Sequence, residues 1–312
     1  MGVPPAWTGI TFTSKLNSAI PPSLSPSEQK LPSPFVVAII GASRNIGAAT
    51  AKAFAQAGAT GLILAGATES DALVQTKEEV IAAGSSPDLK VTILGADLED
   101  TDSAKRVADT IESAYGRLDV LVNSAGLFNT HASAFNKLDA VQIDQYQKPM
   151  AVNYIGKAAV TQAVLPLMLK SEGGAKTIVN VTSILAHFAN MAAVGFNISE
   201  LAINRLTESV AEAYAKDGVL AYAVHPGSVL TLPGPVGMPP EARQGCVDDV
   251  GLCGAFLLWL VKERREWLSG RYLSSNWDVE ELEAKKSAII QGDLLKMRLV
   301  SETKTGRSLC KQ

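Results

Sequence analysis

Cysteine and histidine are scarce, and neither sign of charge dominates. The 312 residues contain three cysteines (Cys246, Cys253 and Cys310) and three histidines. The cysteines form no CxxC pair and no metal-like spacing, which argues against a disulfide framework, a structural zinc or any other metal site. Cys253 is expected to be a small buried apolar residue. With 28 basic and 31 acidic residues the formal net charge is -3, and no basic patch offers a surface to nucleic acid. The apolar stretch 255–261 is too short to cross a bilayer, and the N-terminus lacks the charged and apolar regions of a signal peptide. The expectation is a soluble cytoplasmic protein with no membrane partner.

What is present is apolar bulk. Hydrophobic residues make up 47% of the chain and the mean hydropathy is +0.14, enough for one large α/β domain. Residues 1–34 carry Pro4, Pro5, Pro21, Pro22, Pro26, Pro32 and Pro34 among several serines, and read as an extended arm rather than a packed unit. From 35 to 312 a single catalytic domain follows, including a lid over 232–247 and a C-terminal extension over 276–312. Short apolar runs at 35–40, 62–65, 91–94, 120–122, 178–181 and 220–224 alternate with helical patterns at 46–57, 71–83, 143–170 and 196–216. Ala104, Val107, Ala108 and Ile111 add another helical face before Gly116. The alternation predicts a doubly wound parallel sheet, a Rossmann fold.

After the first strand comes Gly41-Ala42-Ser43-Arg44-Asn45-Ile46-Gly47. A glycine turn from strand to helix lets the backbone approach a ligand closely, and the free N–H groups of the helix N-terminus suit a pyrophosphate. Twenty-odd positions on, where an acidic residue commonly holds the ribose of NAD, the chain reads Ala65-Gly66-Ala67-Thr68. Without that carboxylate, and with Arg44, Thr68 and Ser70 available to a 2′-phosphate, the expected cofactor is NADP(H).

Further landmarks give the pattern a family resemblance. The turn is similar to TGxxxGxG, with Ile40 in place of Thr and Asn45 in place of the middle Gly. Asp97-Leu98 follows the third strand, Asn123-Ser124-Ala125-Gly126 the fourth, and Thr182-Ser183 the fifth. Asn153 lies in the long helix, and Pro226-Gly227 with Val229 and Thr231 follows the sixth strand. Over residues 34–275 the chain resembles the short-chain dehydrogenases/reductases. That resemblance implies cofactor contacts at these landmarks and assembly as a homodimer or homotetramer. The proline-rich arm and the stretch from Gly270 to Leu295 resemble a fungal branch of the family associated with secondary metabolism.

One departure is chemical. In the family a Tyr stands 13 positions after the serine and a Lys four beyond it; counting from Ser183 gives Phe196 and Glu200. Residues four apart share a helix face, so both still point into one site. Phe196 has no proton to give. Glu200 reverses the local charge, although it can still accept hydrogen bonds from the ribose hydroxyls of the cofactor. Reduction of a ketone creates an alkoxide that a carboxylate disfavours. An iminium centre is already cationic, and a carboxylate stabilises it.

The leading expectation is a tailoring enzyme acting on an imine or iminium centre of a small hydrophobic, alkaloid-type substrate. It would work by reduction or cyclisation, with Glu200 as acid/base or counter-ion and Phe196 as an apolar wall or cation–π partner. Ser183, Asn153 and His187 complete the candidate catalytic set, ahead of His131 and Tyr146; His225 is read as structural. A carbonyl oxidoreductase using another proton donor and an inactive dinucleotide-binding scaffold are the two alternatives. The lid, with Pro233, Pro235, Pro239 and Pro240 beside Val236 and Met238, points to an apolar substrate.

Overall fold

The computed structural model describes residues 5–189 and 193–299. Seven strands form one parallel sheet: β1 (Val36–Ile40), β2 (Gly61–Gly66), β3 (Lys90–Gly95), β4 (Val120–Asn123), β5 (Thr177–Val181), β6 (Leu220–His225) and β7 (Arg271–Ser274), in the order β3-β2-β1-β4-β5-β6-β7. The helices are α1 (Asn45–Gln56), α2 (Asp71–Ala83), α3 (Asp102–Tyr115), α4 (Asp144–Pro149), α5 (Lys157–Lys170), α6 (Val194–Ala213), α7 (Pro240–Gln244), α8 (Leu252–Lys262), α9 (Val279–Ala284) and α10 (Lys286–Gln291).

β1 and β4 are neighbours at the sheet centre, where the order reverses, so their C-terminal ends open the crevice in which such folds bind ligands. Alternate residues of β1 feed two separate cores. Val37 and Ile39 join the one containing Phe54 of α1 and Phe256 of α8, whereas Val36, Ala38 and Ile40 join Val107 of α3 and Val164 of α5. That is the period-two logic of a strand buried on both faces.

The doubly wound parallel sheet is as the strand–helix alternation predicts, with two additions. β7 is four residues long and starts with Arg271, too short and too polar to read as a strand. α8 is buried on every side, so it shows no amphipathic stripe. The single helix expected over 143–170 is α4 and α5 joined by a wider π-helical turn, Met150–Gly156, that carries Asn153.

The N-terminal arm, over residues 5–34, lies over the domain surface and is packed onto it. It winds through short helical turns because its prolines set the turn starts. The Ser14 backbone N–H and hydroxyl donate to the Glu281 carboxylate (2.6 and 2.7 Å), and Asn17 N–H donates to the Asn276 carbonyl (2.7 Å). The Trp277 indole donates to the Gly9 carbonyl at 3.0 Å. The arm and the C-terminal extension therefore hold each other. The extension is also tied to the domain: Tyr272 N–H of β7 donates to the Leu295 carbonyl (2.8 Å) and Arg298 pairs with Glu208 of α6 (2.5 Å). Residues 300–312 of the extension, with Cys310, lie outside the described residues. Among the described residues no helix is long and apolar enough to cross a membrane.

Candidate active site

The site begins at the turn after β1. Gly41 has φ +93°, and a Cβ there would stand 2.4 Å from the Ala125 nitrogen; at Gly47 it would stand 2.0 Å from the Gly41 carbonyl oxygen. No side chain fits at either place. Ser124 and Ala125 N–H groups donate to the Ile40 carbonyl (2.8 and 2.6 Å), locking the β1 and β4 ends together. Asn45 takes φ +51°, the left-handed conformation that Asn tolerates best after Gly. The turn thus fits a dinucleotide pyrophosphate at the N-terminus of α1, with Ile46 in the first helical turn.

Arg44 is extended and exposed beside that terminus, and Thr68 is exposed beyond β2. Glu69, also exposed, puts a carboxylate one residue past the stretch that lacks one. Asp97 is exposed, with its carboxylate accepting from the Glu99 N–H (3.0 Å), and Leu98 is buried beside it. Asn123 is buried below the site, donating to the Thr161 hydroxyl (3.1 Å) and the Asn180 side chain (2.9 Å).

Across the crevice lies α6. Phe196 is stacked on Phe128, with centroids 4.4 Å apart and planes at 22°, and Phe128 stacks in turn on Phe135 at 5.9 Å. An aromatic wall therefore stands where a hydroxyl donor is expected. One turn on, Glu200 is only 3% exposed, and its Oε2 has no hydrogen-bond partner. The Thr182 hydroxyl donates to the Glu200 backbone carbonyl (3.3 Å) and lies beside its carboxyl group. Burial pushes that carboxyl above the ordinary range; Lys157 and Thr182 pull it back.

Lys157, at the start of α5, is 1% exposed and donates to the Val181 carbonyl at 2.8 Å. Burial pushes its ammonium down and Glu200 holds it up. Asn153 is spent on bracing. It accepts from Leu127 N–H (2.7 Å) and donates to the Leu127 carbonyl (3.0 Å) and the Ser199 hydroxyl (2.9 Å). The Ser183 oxygen accepts from Leu185 N–H (3.2 Å), which leaves its own proton to offer.

The rim is tied to the floor by two asparagines. Asn45 donates to the Leu232 carbonyl (3.0 Å) and accepts from its N–H (3.3 Å). Asn129 clasps Val236 in the same way (2.7 and 3.0 Å), so the lid is fastened both to the phosphate turn and to the loop after β4. Gly227 follows Pro226 with φ +95°; the next residue, Ser228, donates its N–H to Asp248 (2.6 Å), which also accepts from Asn276 (2.9 Å). Val229 and Thr231 continue from this turn into the lid, both half-buried.

His187 packs edge-on against Tyr272 (4.4 Å), and burial pushes its imidazole down to about 4. That burial disfavours the imidazolium form that a general acid would need. His225 accepts from Ile184 N–H (3.3 Å) as a structural group. His131 caps a short turn through Ser133 N–H (3.1 Å). Tyr146 is half-buried on α4.

Residues 35–233 match the family model of the short chain dehydrogenases. The chain belongs to the short-chain dehydrogenase family. It is 38% identical over 300 residues to the short chain dehydrogenase pgmD of Aspergillus terreus, covering 95% of this chain and 96% of that one. To the short chain dehydrogenase mpl6 of Monascus purpureus it is 39% identical over 300 residues, 96% of this chain and all (100%) of that one. A short-chain dehydrogenase/reductase structure from Burkholderia xenovorans superposes with a TM-score of 0.66 at 26% identity, covering 79% of this chain and 98% of that one. A short chain dehydrogenase from Shigella flexneri, complexed with NADP, shares the fold at a TM-score of 0.69 and 24% identity, over 80% of this chain and 99% of that one. The relatives from Aspergillus and Monascus agree with the expected fungal branch.

Within this short-chain dehydrogenase Phe196 and Glu200 lie one turn apart on α6, Thr182 beside Ser183 touches Glu200, and Asn153 and His187 are taken up by contacts with Ser199 and Tyr272. Sequence reasoning missed Phe128, Asn129, Thr182 as a contact of Glu200, and Lys157. The signal for Lys157 was a lone charge in the otherwise apolar run around Asn153, four residues on and so on the same helix face.

Proposed function

We propose that this short-chain dehydrogenase binds NADP(H) and tailors a hydrophobic natural product at an imine or iminium centre, by reduction or by ring closure. The carrying observation is the buried Glu200 carboxyl, whose Oε2 has no partner, one turn from a stacked phenylalanine where a proton donor is expected. The chain's residues fit the cofactor at the Gly41–Gly47 turn; when bound, it would supply the hydride. Arg44 beside the α1 N-terminus, and the lack of a carboxylate from Gly66 to Thr68, support NADP(H) over NAD(H). Landmark contacts from Ser43, Asp97, Asn123, Ala125, Gly126, Val229 and Thr231 belong to the same reading.

Glu200 would act as acid/base or counter-ion to a cationic carbon. The Phe128–Phe196 stack would hold a planar or cationic substrate and keep water away. Ser183 retains a free hydroxyl proton, and this favours a second reading, carbonyl reduction with Ser183 orienting the oxygen. Assembly as a homodimer or homotetramer in the cytoplasm completes the proposal.

The test is NADPH oxidation with cyclic imines and their ketone counterparts. Imine turnover should fall about 10²–10⁴-fold in Glu200→Gln. Equal turnover of ketones, or a Glu200→Gln variant as fast as wild type, would sink the imine reading. Product formation that needs NADPH without consuming it would select ring closure over reduction.

A further inference from the structure

The family's proton relay places a lysine on α6, and here Glu200 occupies that position. The neighbouring helix presents Lys157 instead, buried to 1% exposure, its ammonium on the Val181 carbonyl at the end of β5. Thr182 and Ser183 follow Val181 directly, so this ammonium sits under the strand end that builds the site. A buried ammonium with one hydrogen bond is costly unless another charge compensates it. Glu200 is that charge: each of the two offsets the effect of burial on the other, without a direct ion pair.

Among the described residues no other charged side chain is hydrogen-bonded or ion-paired to either. Thr182, on the loop after β5, is neutral. His225, on the adjoining strand, has Asp248 and His187 as its charged neighbours. Lys105 lies on the outer side of α3 and pairs with Asp109.

We propose that Lys157 is the positioning residue of this site. It supplies from α5 the positive charge that the family supplies from α6, and it holds the Glu200 carboxylate with one oxygen free for the ribose hydroxyls of the nicotinamide half. The charge has moved from one helix to the other, and the site keeps one cation with an anion added. This rests on the reading that NADP(H) binds with that ribose beside Glu200.

The experiment measures NADPH affinity by nicotinamide fluorescence across pH, on the full chain, for wild type, Lys157→Met, Glu200→Gln and the double variant. Removing the cation takes away the influence that lowers the Glu200 pKa. Lys157→Met should therefore weaken NADPH roughly tenfold near pH 7 and move the pH-dependent limb to higher pH. Glu200→Gln should flatten that limb, and the double variant should resemble Glu200→Gln. An unchanged limb in Lys157→Met, or the same fold-loss at every pH, overturns the proposal, because a merely structural lysine would act so.

Infrared spectroscopy gives a second readout that needs neither NADPH nor a folded Lys157→Met. In wild type the Glu200 carboxyl band, assigned by its loss in Glu200→Gln, should be that of the ionised form at neutral pH. A protonated band there overturns the proposal. If wild type binds no NADPH at any pH, the cofactor reading fails on its own, and the infrared result still decides the role of Lys157.

Discussion

The turn after β1 and the α6 pair both depart from the family pattern, with different consequences. The turn is made of backbone. Gly41 and Gly47 are excluded from change by contacts of 2.4 and 2.0 Å, while Asn45 replaces a glycine and still adopts φ +51°. The α6 side is made of side chains and charge. Replacing one residue there alters the protonation of everything near it, so the exchange at Glu200 stands opposite a second lysine on α5. A backbone site absorbs a substitution locally, whereas a charged buried site needs a partner to change with it.

Three changes probe that contrast. The largest effect is expected from Glu200→Lys, the family's own residue. It places a second ammonium near Lys157 with no anion left, and should cost about 3–5 kcal/mol in thermal or urea unfolding. Adding Lys157→Met should recover most of that loss; recovery of none would mean that the two sites are independent. Next, Gly47→Ala puts a methyl against the Gly41 carbonyl. A loss of roughly 2 kcal/mol, with NADPH affinity falling at least about tenfold, is expected by calorimetry. A variant as stable and as tight as wild type would show that the turn is looser than its contacts imply. The smallest effect belongs to Asn45→Gly. Relief of the left-handed asparagine and loss of the Leu232 clasp should nearly cancel in stability, within about 1 kcal/mol. Limited proteolysis within 232–247 should nonetheless become faster.

The sequence carried the half of the protein that depends on local pattern. Short apolar runs gave six of the strands; a strand buried on both faces, such as β1, needs no alternation. The turn came from its glycines between a strand and a helix, and the register from Ser183 to Phe196 and Glu200 from the family resemblance. Distance along the chain hid the rest. Lys157 comes near Glu200, 43 positions away in sequence, because the π-helical turn before α5 packs against α6. Asn129 finds Val236 across 107 positions. The packed arm was illegible for the same reason: its anchors, Asn276, Trp277 and Glu281, come from the far end of the chain. β7 was missed because four residues carry too little pattern.

The Asn276 side chain donates both to the Asn17 carbonyl of the arm and to Asp248, the residue that fastens the turn after Gly227. Residues 5–34 therefore behave less like a tether than like a splint. Anyone trimming this protein to its sheet and helices, or grafting its pocket onto a shorter relative, would be removing the outer support of the loop after β6. Such a minimal version should keep its fold and lose its aim.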